Sequence, residues 1–268
     1  LGAQVMAESE GASPVGVPER SPFGDPVRVI DPPAPSRAMT IQAHPDDQEF
    51  TIGGTLAKWA AAGTHIVTVC LTSGGAGSNK YTPDGMPSAN LMPIREREQR
   101  AACKVLGVAE TVFLGYPDGA LVHTLDLRRA LTRTIRQHKP EVVITGDPTV
   151  RFYGSSYLNH PDHRVAADVA LDAVFPSAGT RFIFEELLAE GLEPHEVQQV
   201  WLHGSQQPDT WIDVNDTLAV KFAALQEHHS QLGEWDPTPM LKTWAAEQGA
   251  AVGLAAAESY RRMILGEG

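Results

Sequence analysis

Fold and chemistry meet in residues 39–47, Met39-Thr40-Ile41-Gln42-Ala43-His44-Pro45-Asp46-Asp47. The first five residues form a short, largely apolar run that is typical of a buried strand. The next four place an imidazole, a turn-forming proline and two carboxylates at the end of that strand. A similar run follows another apolar segment far along the chain, His160-Pro161-Asp162-His163. Two imidazoles and one carboxylate can hold a zinc ion and leave a position open for water, so the two runs together indicate a metal-dependent hydrolase.

Either run alone is weak evidence, because an aspartate before a helix is often only an N-cap. The repetition is more informative. Both runs follow apolar strands and precede helices, and caps alone explain this poorly. The glycines at positions 53 and 54 also allow another part of the backbone to approach the start of the first helix closely.

From Met39 onward, apolar strands alternate with helices. The pattern predicts strands at 39–43, 65–71, 111–114, 142–145, 197–202 and 210–214, and helices at 51–62, 94–106, 125–137, 164–174, 218–229 and 240–264. This alternation predicts a single α/β domain with a Rossmann-like, mostly parallel sheet and helices on both faces. Loops at the carboxyl ends of such strands build the active site, so we expect the two motifs to meet there.

Composition narrows the class of protein. The formal net charge of −12 over 268 residues argues against nucleic-acid binding and against an anionic membrane surface. No apolar run approaches the roughly 18 residues that span a bilayer. The chain has two cysteines, Cys70 and Cys103, in apolar segments, which predicts buried thiols in a reducing cytoplasm.

Residues 1–37 are rich in proline, glycine and serine and lack periodicity. We expect a flexible Pro-rich N-terminal leader over 1–37 and the catalytic domain over 38–268.

Further motifs carry a resemblance to a known family. They are the 43–47 run with Glu49, Gly53-Gly54-Thr55, Leu114-Gly115-Tyr116-Pro117-Asp118-Gly119 and Asn159-His160-Pro161-Asp162-His163. In this order and spacing they resemble the LmbE-like (PIG-L) zinc-dependent N-deacetylases over residues 39–265, and they look closest to the diacetylchitobiose deacetylase branch. One departure is Gln48, which we interpret as a packing residue or one lying behind the ligands.

The resemblance implies roles for the motif residues. The metal ligands would be His44, Asp47 and His163, holding Zn²⁺, although Fe²⁺ also suits this donor set. Asp46 would be the general base that takes a proton from a water molecule activated by the metal. A protonated His160 would help to stabilise the oxyanion. Asp162 would hold His160 in place and favour its charged form.

The resemblance also singles out two substrate-binding candidates. Arg95 would contact substrate oxygens, against the alternative of a solvated charge at the start of a helix. Asp118 would bind a sugar hydroxyl, against the alternative of a plain turn residue. The leaving amine needs a proton from either Asp46 or His160, and the sequence does not decide between them.

Other polar candidates have ordinary interpretations. The glycine-rich stretch 73–78 lacks the Gly-Lys-Ser/Thr ending of a phosphate loop. We expect His228 and His229 to be capping or surface residues at a helix end. Tyr153 and Tyr157 lie in the loop that leads to the second motif, a position suited to lining a pocket.

The function that these expectations favour is removal of the N-acetyl group from an N-acetylglucosamine-type sugar or glycoconjugate. An alternative is amide cleavage in a glucosamine-linked low-molecular-weight thiol or its conjugate. Alternatives from other classes are a non-haem Fe(II) oxygenase, which expects an all-β barrel, and a metal-binding module without catalysis. The expected partner is a small-molecule substrate, with no nucleic acid and no membrane, and relatives in the family are often homo-oligomers.

Overall fold

The computed structural model describes residues 28–265 and contains a mixed sheet of eight strands with a separate short hairpin. The sheet strands are β1 Val29–Ile30, β2 Arg37–Gln42, β3 His65–Thr72, β4 Glu110–Tyr116, β5 Val142–Gly146, β8 Gln199–His203, β9 Thr210–Asp213 and β10 Ala257–Ile264. The hairpin strands are β6 Phe152–Tyr153 and β7 Tyr157–Leu158. The strand order in the sheet is β1-β9-β10-β8-β5-β2-β3-β4.

The helices lie between these strands along the chain. They are α1 Asp47–Thr51, α2 Gly53–Ala61, α3 Ser88–Leu106, α4 Leu125–His138, α5 Pro161–Asp172, α6 Glu186–Ala189, α7 Leu218–Gln226, α8 His229–Leu232 and α9 Thr238–Ala250. A π-helical segment, Ala173–Ala178, continues from α5, and a 3₁₀ turn, Asn215–Thr217, precedes α7.

Helices cover both faces of the sheet, as predicted, and alternation along the strands creates the two cores. On β2, Met39 and Ile41 point into a core shared with α4 and α5, whereas Ala38 points to the other face. That second face packs against α2, α3, α7 and α9, with Trp59 and Trp201 at its centre. The predicted α/β class with a mostly parallel sheet is therefore confirmed.

The predicted helix over 240–264 is wrong in its second half. The helix ends at Ala250, and β10 then runs antiparallel between β8 and β9. The alanine-rich stretch favours a helix locally, but the buried position between two strands gives its backbone groups ladder partners and buries Tyr260 completely. Long-range pairing overrides local propensity here.

Two other boundaries differ from the prediction. The helix expected over 51–62 is split at Ile52 into α1 and α2, and a Cβ on Gly54 would lie 2.8 Å from Val214 Cβ, as the close-approach expectation requires. The helix α3 begins at Ser88 rather than at residue 94, because Pro93 lies inside its first turns. In the N-terminal segment, β1 pairs with β9, while the flexible leader predicted for residues 1–27 lies outside the described residues. No helix within residues 28–265 is both long and apolar enough to cross a membrane.

Candidate metal centre and active site

The two His-Pro-Asp motifs meet at the carboxyl edge of the sheet. Strands β2 and β5 are parallel neighbours, the first motif directly follows β2, and the second follows β5 through the β6–β7 hairpin. The ring centroids of His44 and His160 are 4.9 Å apart, and those of His44 and His163 are 5.2 Å apart. The sheet topology thus brings together residues that are far apart in the sequence.

Three side chains of these motifs face one another closely enough to share a cation. The Nδ1 atom of His44 lies 3.3 Å from Nε2 of His163. The carboxylate of Asp47 places Oδ1 3.1 Å from His163 Nε2 and Oδ2 3.6 Å from His44 Nδ1. Two imidazole nitrogens and a carboxylate oxygen are the donor set of an open zinc site.

The other ring nitrogen of His44 faces two carboxylates. Its Nε2 atom lies 3.0 Å from Oδ1 of Asp118 and 3.2 Å from Oδ2 of Asp162. A carboxylate accepts a hydrogen bond from this nitrogen, which leaves the lone pair on Nδ1. Histidine ligands of metals are commonly supported in this way, so the geometry fits a metal bound to Nδ1.

Within residues 28–265, a second group of side chains also lies close enough to hold a metal: His44, His160 and Asp162. This group fits less well, because Asp162 already accepts hydrogen bonds from the backbone N–H groups of Gly119, at 2.7 Å, and Leu121, at 3.2 Å. Its carboxylate is buried and committed to those donors and to His44. The first group therefore makes the better metal centre.

The electrostatics of the pocket favour a positive charge. Burial acts to lower the pKa of His44, but the carboxylates of Asp47 and Asp118 raise it to about 11. Burial acts to raise the pKa of Asp47, but His163 and His44 hold it well below the usual carboxyl range. Asp47 is therefore an anion, and a cation between these groups would be strongly stabilised.

Asp46, the predicted general base, points to the same pocket from an unusual backbone conformation. Its φ of 91° lies in the left-handed region. Burial raises the pKa of the Asp46 carboxyl, and the charge of Arg95 opposes that rise. A carboxylate whose pKa moves toward neutrality suits general base catalysis near pH 7.

Arg95 is 3% exposed, so the alternative of a solvated helix charge is wrong. Its guanidinium donates to the carbonyl oxygens of Gly74, at 2.9 Å, and Pro45, at 2.6 Å, and lies 3.0 Å from Asp46 Oδ2. A Cβ on Gly74 or Gly77 would collide with Nη1 of this side chain, so the glycine-rich loop closes around Arg95. Contact between Arg95 and substrate stays a prediction.

Asp118 is more than a turn residue. Its Oδ2 accepts the backbone N–H of Ala76 at 2.7 Å, while Oδ1 faces His44. Burial acts to raise the pKa of Asp118, but the hydrogen bond and charge of His44 lower it. Both oxygens thus have protein partners, and the predicted sugar contact stays a prediction.

The contacts of Asp162 differ from those expected. Its carboxylate supports His44 rather than His160, and only its backbone N–H reaches the His160 ring, donating to Nδ1 at 3.2 Å. The pKa of His160 is lowered, first by burial and then by the nearby His44 and His163, and the opposing charge of Asp162 does not overcome them. The expectation that Asp162 keeps His160 charged is therefore wrong.

The sequence analysis missed a buried polar network behind Asp46. His228, expected at the surface or as a cap, is fully buried, and its Nε2 lies 3.2 Å from Oε2 of the equally buried Glu49. Gln99 joins Glu49 to the backbone of Asp46. The available signal was in α3, where Arg95 and Gln99 are one turn apart on the face that also buries Leu91.

Gln48 belongs to the packing side of this network. Its Oε1 accepts from the hydroxyls of Thr40, at 2.9 Å, and Thr68, at 2.8 Å, and its Nε2 donates to Glu49. These contacts lie between α1 and the sheet, so they agree with the interpretation of Gln48 as a packing residue.

Aromatic side chains lie exposed on the hairpin before the second motif. Tyr157 is 54% exposed, its ring centroid is 5.9 Å from that of Tyr153, and burial followed by the charge of Asp47 raises its pKa. Tyr157 therefore stands near the metal centre, where the sequence placed a pocket wall.

Comparison with known proteins supports one assignment. Residues 39–174 match the PIG-L family, described as GlcNAc-PI de-N-acetylase. The diacetylchitobiose deacetylase of Thermococcus kodakarensis is 32% identical over 231 residues, which are 84% of this chain and 82% of that protein. A 1D-myo-inositol 2-acetamido-2-deoxy-alpha-D-glucopyranoside deacetylase of Saccharopolyspora erythraea is 28% identical over 85% of this chain and 89% of its own length.

A solved structure shares both fold and sequence. It is the N,N'-diacetylchitobiose deacetylase from Pyrococcus horikoshii in complex with the inhibitor MPG, with a TM-score of 0.77 and 28% identity over 86% of this chain and 84% of that one. The family match covers both His-Pro-Asp motifs, and the structural match covers nearly the whole sheet that joins them. The chain therefore belongs to the PIG-L family of de-N-acetylases.

Proposed function

We propose that the protein removes the acetyl group from the 2-acetamido group of an N-acetylglucosamine-type sugar or glycoconjugate. Family membership makes the chain a hydrolase of N-acetyl amide bonds. The relatives named above act on substrates that share a 2-acetamido-2-deoxyglucose unit, and that shared unit defines the proposed substrate class. The single observation that carries the proposal is the facing donor set of His44, Asp47 and His163 beside the carboxylate of Asp46.

The proposed cofactor is Zn²⁺, held by His44 Nδ1, Asp47 and His163 Nε2. When bound, the metal would polarise the acetamide carbonyl and lower the pKa of a water molecule toward about 7. Fe²⁺ suits the same nitrogen and oxygen ligands. His44 is held for this task by the carboxylates of Asp118 and Asp162.

Asp46 is the proposed general base. Its carboxylate has a raised pKa and one oxygen bound to Arg95, which leaves the other oxygen to accept a proton from the attacking water. Arg95 keeps the carboxylate pointed in one direction and holds the preceding carbonyl of Pro45.

His160 is the proposed electrophilic group on the opposite side of the pocket. Because its Nδ1 accepts a backbone N–H, the neutral ring carries its proton on Nε2. That N–H can donate to the carbonyl oxygen as negative charge develops there, without requiring a charged ring. Either His160 or the protonated Asp46 can then pass a proton to the leaving amine.

An amide in a glucosamine-linked thiol or its conjugate is the second candidate, since it requires the same chemistry at the same carbon–nitrogen bond. The similarity to the inositol-linked sugar deacetylase is the observation that favours keeping it. We place the protein in the cytoplasm, where its two buried free thiols suit a reducing environment, and we propose a small-molecule substrate and self-association as a homo-oligomer.

The test is acetate release by the purified, zinc-loaded chain from N-acetylglucosamine, diacetylchitobiose and an inositol-linked N-acetylglucosamine. Asp46→Ala should lower kcat by about a hundredfold or more while metal content stays at the wild-type level. An active wild type with an equally active D46A variant would remove Asp46 from the mechanism. A wild type that binds metal but releases no acetate from any of the three would favour a non-catalytic module, and the parallel sheet already disfavours the all-β barrel expected of an Fe(II) oxygenase.

A further inference from the structure

The peptide group between Pro45 and Asp46 is held at both ends by α3. The Pro45 carbonyl accepts a hydrogen bond from Arg95 Nη2 at 2.6 Å. The Asp46 N–H donates to Gln99 Oε1 at 2.8 Å. Because a trans peptide points its C=O and N–H in opposite directions, two side chains one helical turn apart hold this peptide from its two sides.

This peptide needs such support because of the conformation that follows it. Asp46 has φ 91° and ψ −24°, a left-handed conformation that is uncommon for a residue with a Cβ atom. Residues held in this way persist where the surroundings over-determine them. The conformation also decides where the Asp46 carboxylate points, since the side chain leaves the same Cα.

The orientation of the Gln99 amide is fixed from behind. Its Nε2 donates to Glu49 Oε1 at 2.8 Å, and a buried carboxylate can only accept, so the amide oxygen must face Asp46. Glu49 is itself anchored by Gln48 Nε2 at 2.8 Å and by His228 Nε2 at 3.2 Å. These four side chains are each 0% exposed, so solvent does not replace any of the contacts.

We propose that Gln99 is a positioning residue for the reaction, which fixes the Pro45–Asp46 peptide and thereby aims the Asp46 carboxylate at the substrate. Glu49 and His228 act one step further back, by fixing the Gln99 amide. The inference rests on the proposed role of Asp46 as the base. It adds a residue that touches neither the metal centre nor the substrate.

Gln99→Met tests the proposal, because methionine keeps the length of the side chain but can neither accept from Asp46 nor donate to Glu49. We expect kcat to fall by about ten- to a hundredfold, as small misplacements of a catalytic group do, with KM changed by less than about threefold. Metal content should stay at the wild-type level. A crystal structure of the variant should show the Pro45–Asp46 peptide rotated and Asp46 outside its left-handed conformation.

Leu106→Ala is the matched control for a merely structural role. Leu106 is buried on the same helix, and its truncation leaves a cavity without touching the Asp46 peptide. This variant should lose thermal stability but keep kcat. Equal losses of kcat in both variants would reduce the role of Gln99 to packing.

An exchange of donor and acceptor provides a second test that does not depend on the folding of Gln99→Met. Gln99→Glu keeps an acceptor for the Asp46 N–H but turns a carboxylate toward Glu49, so kcat should fall. Adding Glu49→Gln supplies a donor to that carboxylate, and the double variant E49Q/Q99E should recover most of the lost kcat. Failure to recover, with a native peptide geometry in the crystal, contradicts the proposal.

The structural measurement separates this inference from the proposed function. If wild type releases no acetate yet the peptide rotates in Gln99→Met, the deacetylase function fails and the positioning of Asp46 stands. If wild type is active while Gln99→Met keeps both kcat and the peptide geometry, the positioning role fails and the function stands.

Discussion

His44 uses both nitrogens of its ring, and this determines which side chains can hold the metal. Its Nε2 faces Asp118 and Asp162, whereas Nδ1 faces Asp47 and His163. Since a carboxylate partner fixes the tautomer of a histidine ligand, the two aspartates behind the ring prepare Nδ1 for a cation. A residue predicted to act on His160, Asp162, thus serves the first motif instead.

Asp162→Asn tests this arrangement at the level of one residue. We expect zinc affinity to weaken by about ten- to a hundredfold, because the variant loses the charged acceptor behind His44 but keeps all three ligands. His163→Ala should weaken zinc binding much more, and His160→Ala should leave it nearly unchanged. Competition with a chromogenic chelator measures all three. If His160→Ala weakens binding more than His163→Ala, the group of His44, His160 and Asp162 is the metal centre.

Among the elements, the start of α2 is joined to β10 and α7 by one buried carboxylate. Glu258 of β10 accepts the N–H groups of Gly54, at 2.9 Å, and Thr55, at 2.7 Å. Its Oε1 also lies 2.6 Å from Lys221 Nζ. The carboxylate therefore serves as an N-cap supplied from a distant strand, at the positive end of the α2 dipole. This contact fixes α2 behind α1, and so steadies the segment that follows the first motif.

Glu258→Gln should destabilise the fold by about 3–5 kcal/mol, because it leaves a buried ammonium without its counter-charge. Glu190→Gln is the matched control: it removes a carboxylate from the exposed pair with Arg133, for which we expect less than about 1 kcal/mol. Urea unfolding gives both free energies. Similar small changes in the two variants would mean that water reaches Lys221 and replaces the lost partner.

Over the whole molecule, the parallel topology gathers ionisable side chains at one edge of the sheet. The ends of β2, β5 and β8 lie side by side there, and each contributes a histidine or an aspartate that would not meet the others in an extended chain. Such crowding makes the stability of the fold depend on pH, because each group titrates differently in the folded and unfolded states. His203, at the end of β8, gives the clearest case. Burial lowers its pKa from 6.5 to about 4, against the opposing charge of Asp47, and its Nε2 lies 3.3 Å from Gln42 Oε1.

The sign follows from which state binds the proton. Between pH 6.5 and about 4 the unfolded chain takes up a proton at His203 that the folded protein does not, so this residue lowers stability as the pH falls through that window. His203→Gln should abolish the effect. Between pH 7.5 and pH 5, the metal-free wild type should therefore lose about 2 kcal/mol more unfolding free energy than the variant. Parallel pH profiles in urea unfolding would show that His203 titrates normally in the folded protein.

The sequence by itself determined the class of the fold and the identity of the chemistry. Strand and helix periods are local properties of the chain, so the alternation that begins at β2 predicted a parallel sheet with helices on both faces. The two His-Pro-Asp motifs predicted a metal centre, and the rule that sites form at carboxyl ends of strands predicted that they would meet. The error at β10 has the opposite origin, since its pairing with β8 and β9 depends on strands far away in the sequence.

What only the tertiary structure decided was which groups face one another. No local pattern indicates that Asp162 supports His44, that Arg95 and Gln99 hold one peptide from both sides, or that His228 lies buried against Glu49. Each of these contacts joins segments from different elements, and its direction depends on backbone and rotamer geometry set by packing. The sequence therefore supplied the reactive groups, whereas the fold assigned their partners, because hydrogen-bond geometry is specified by positions in space and not by spacing along the chain.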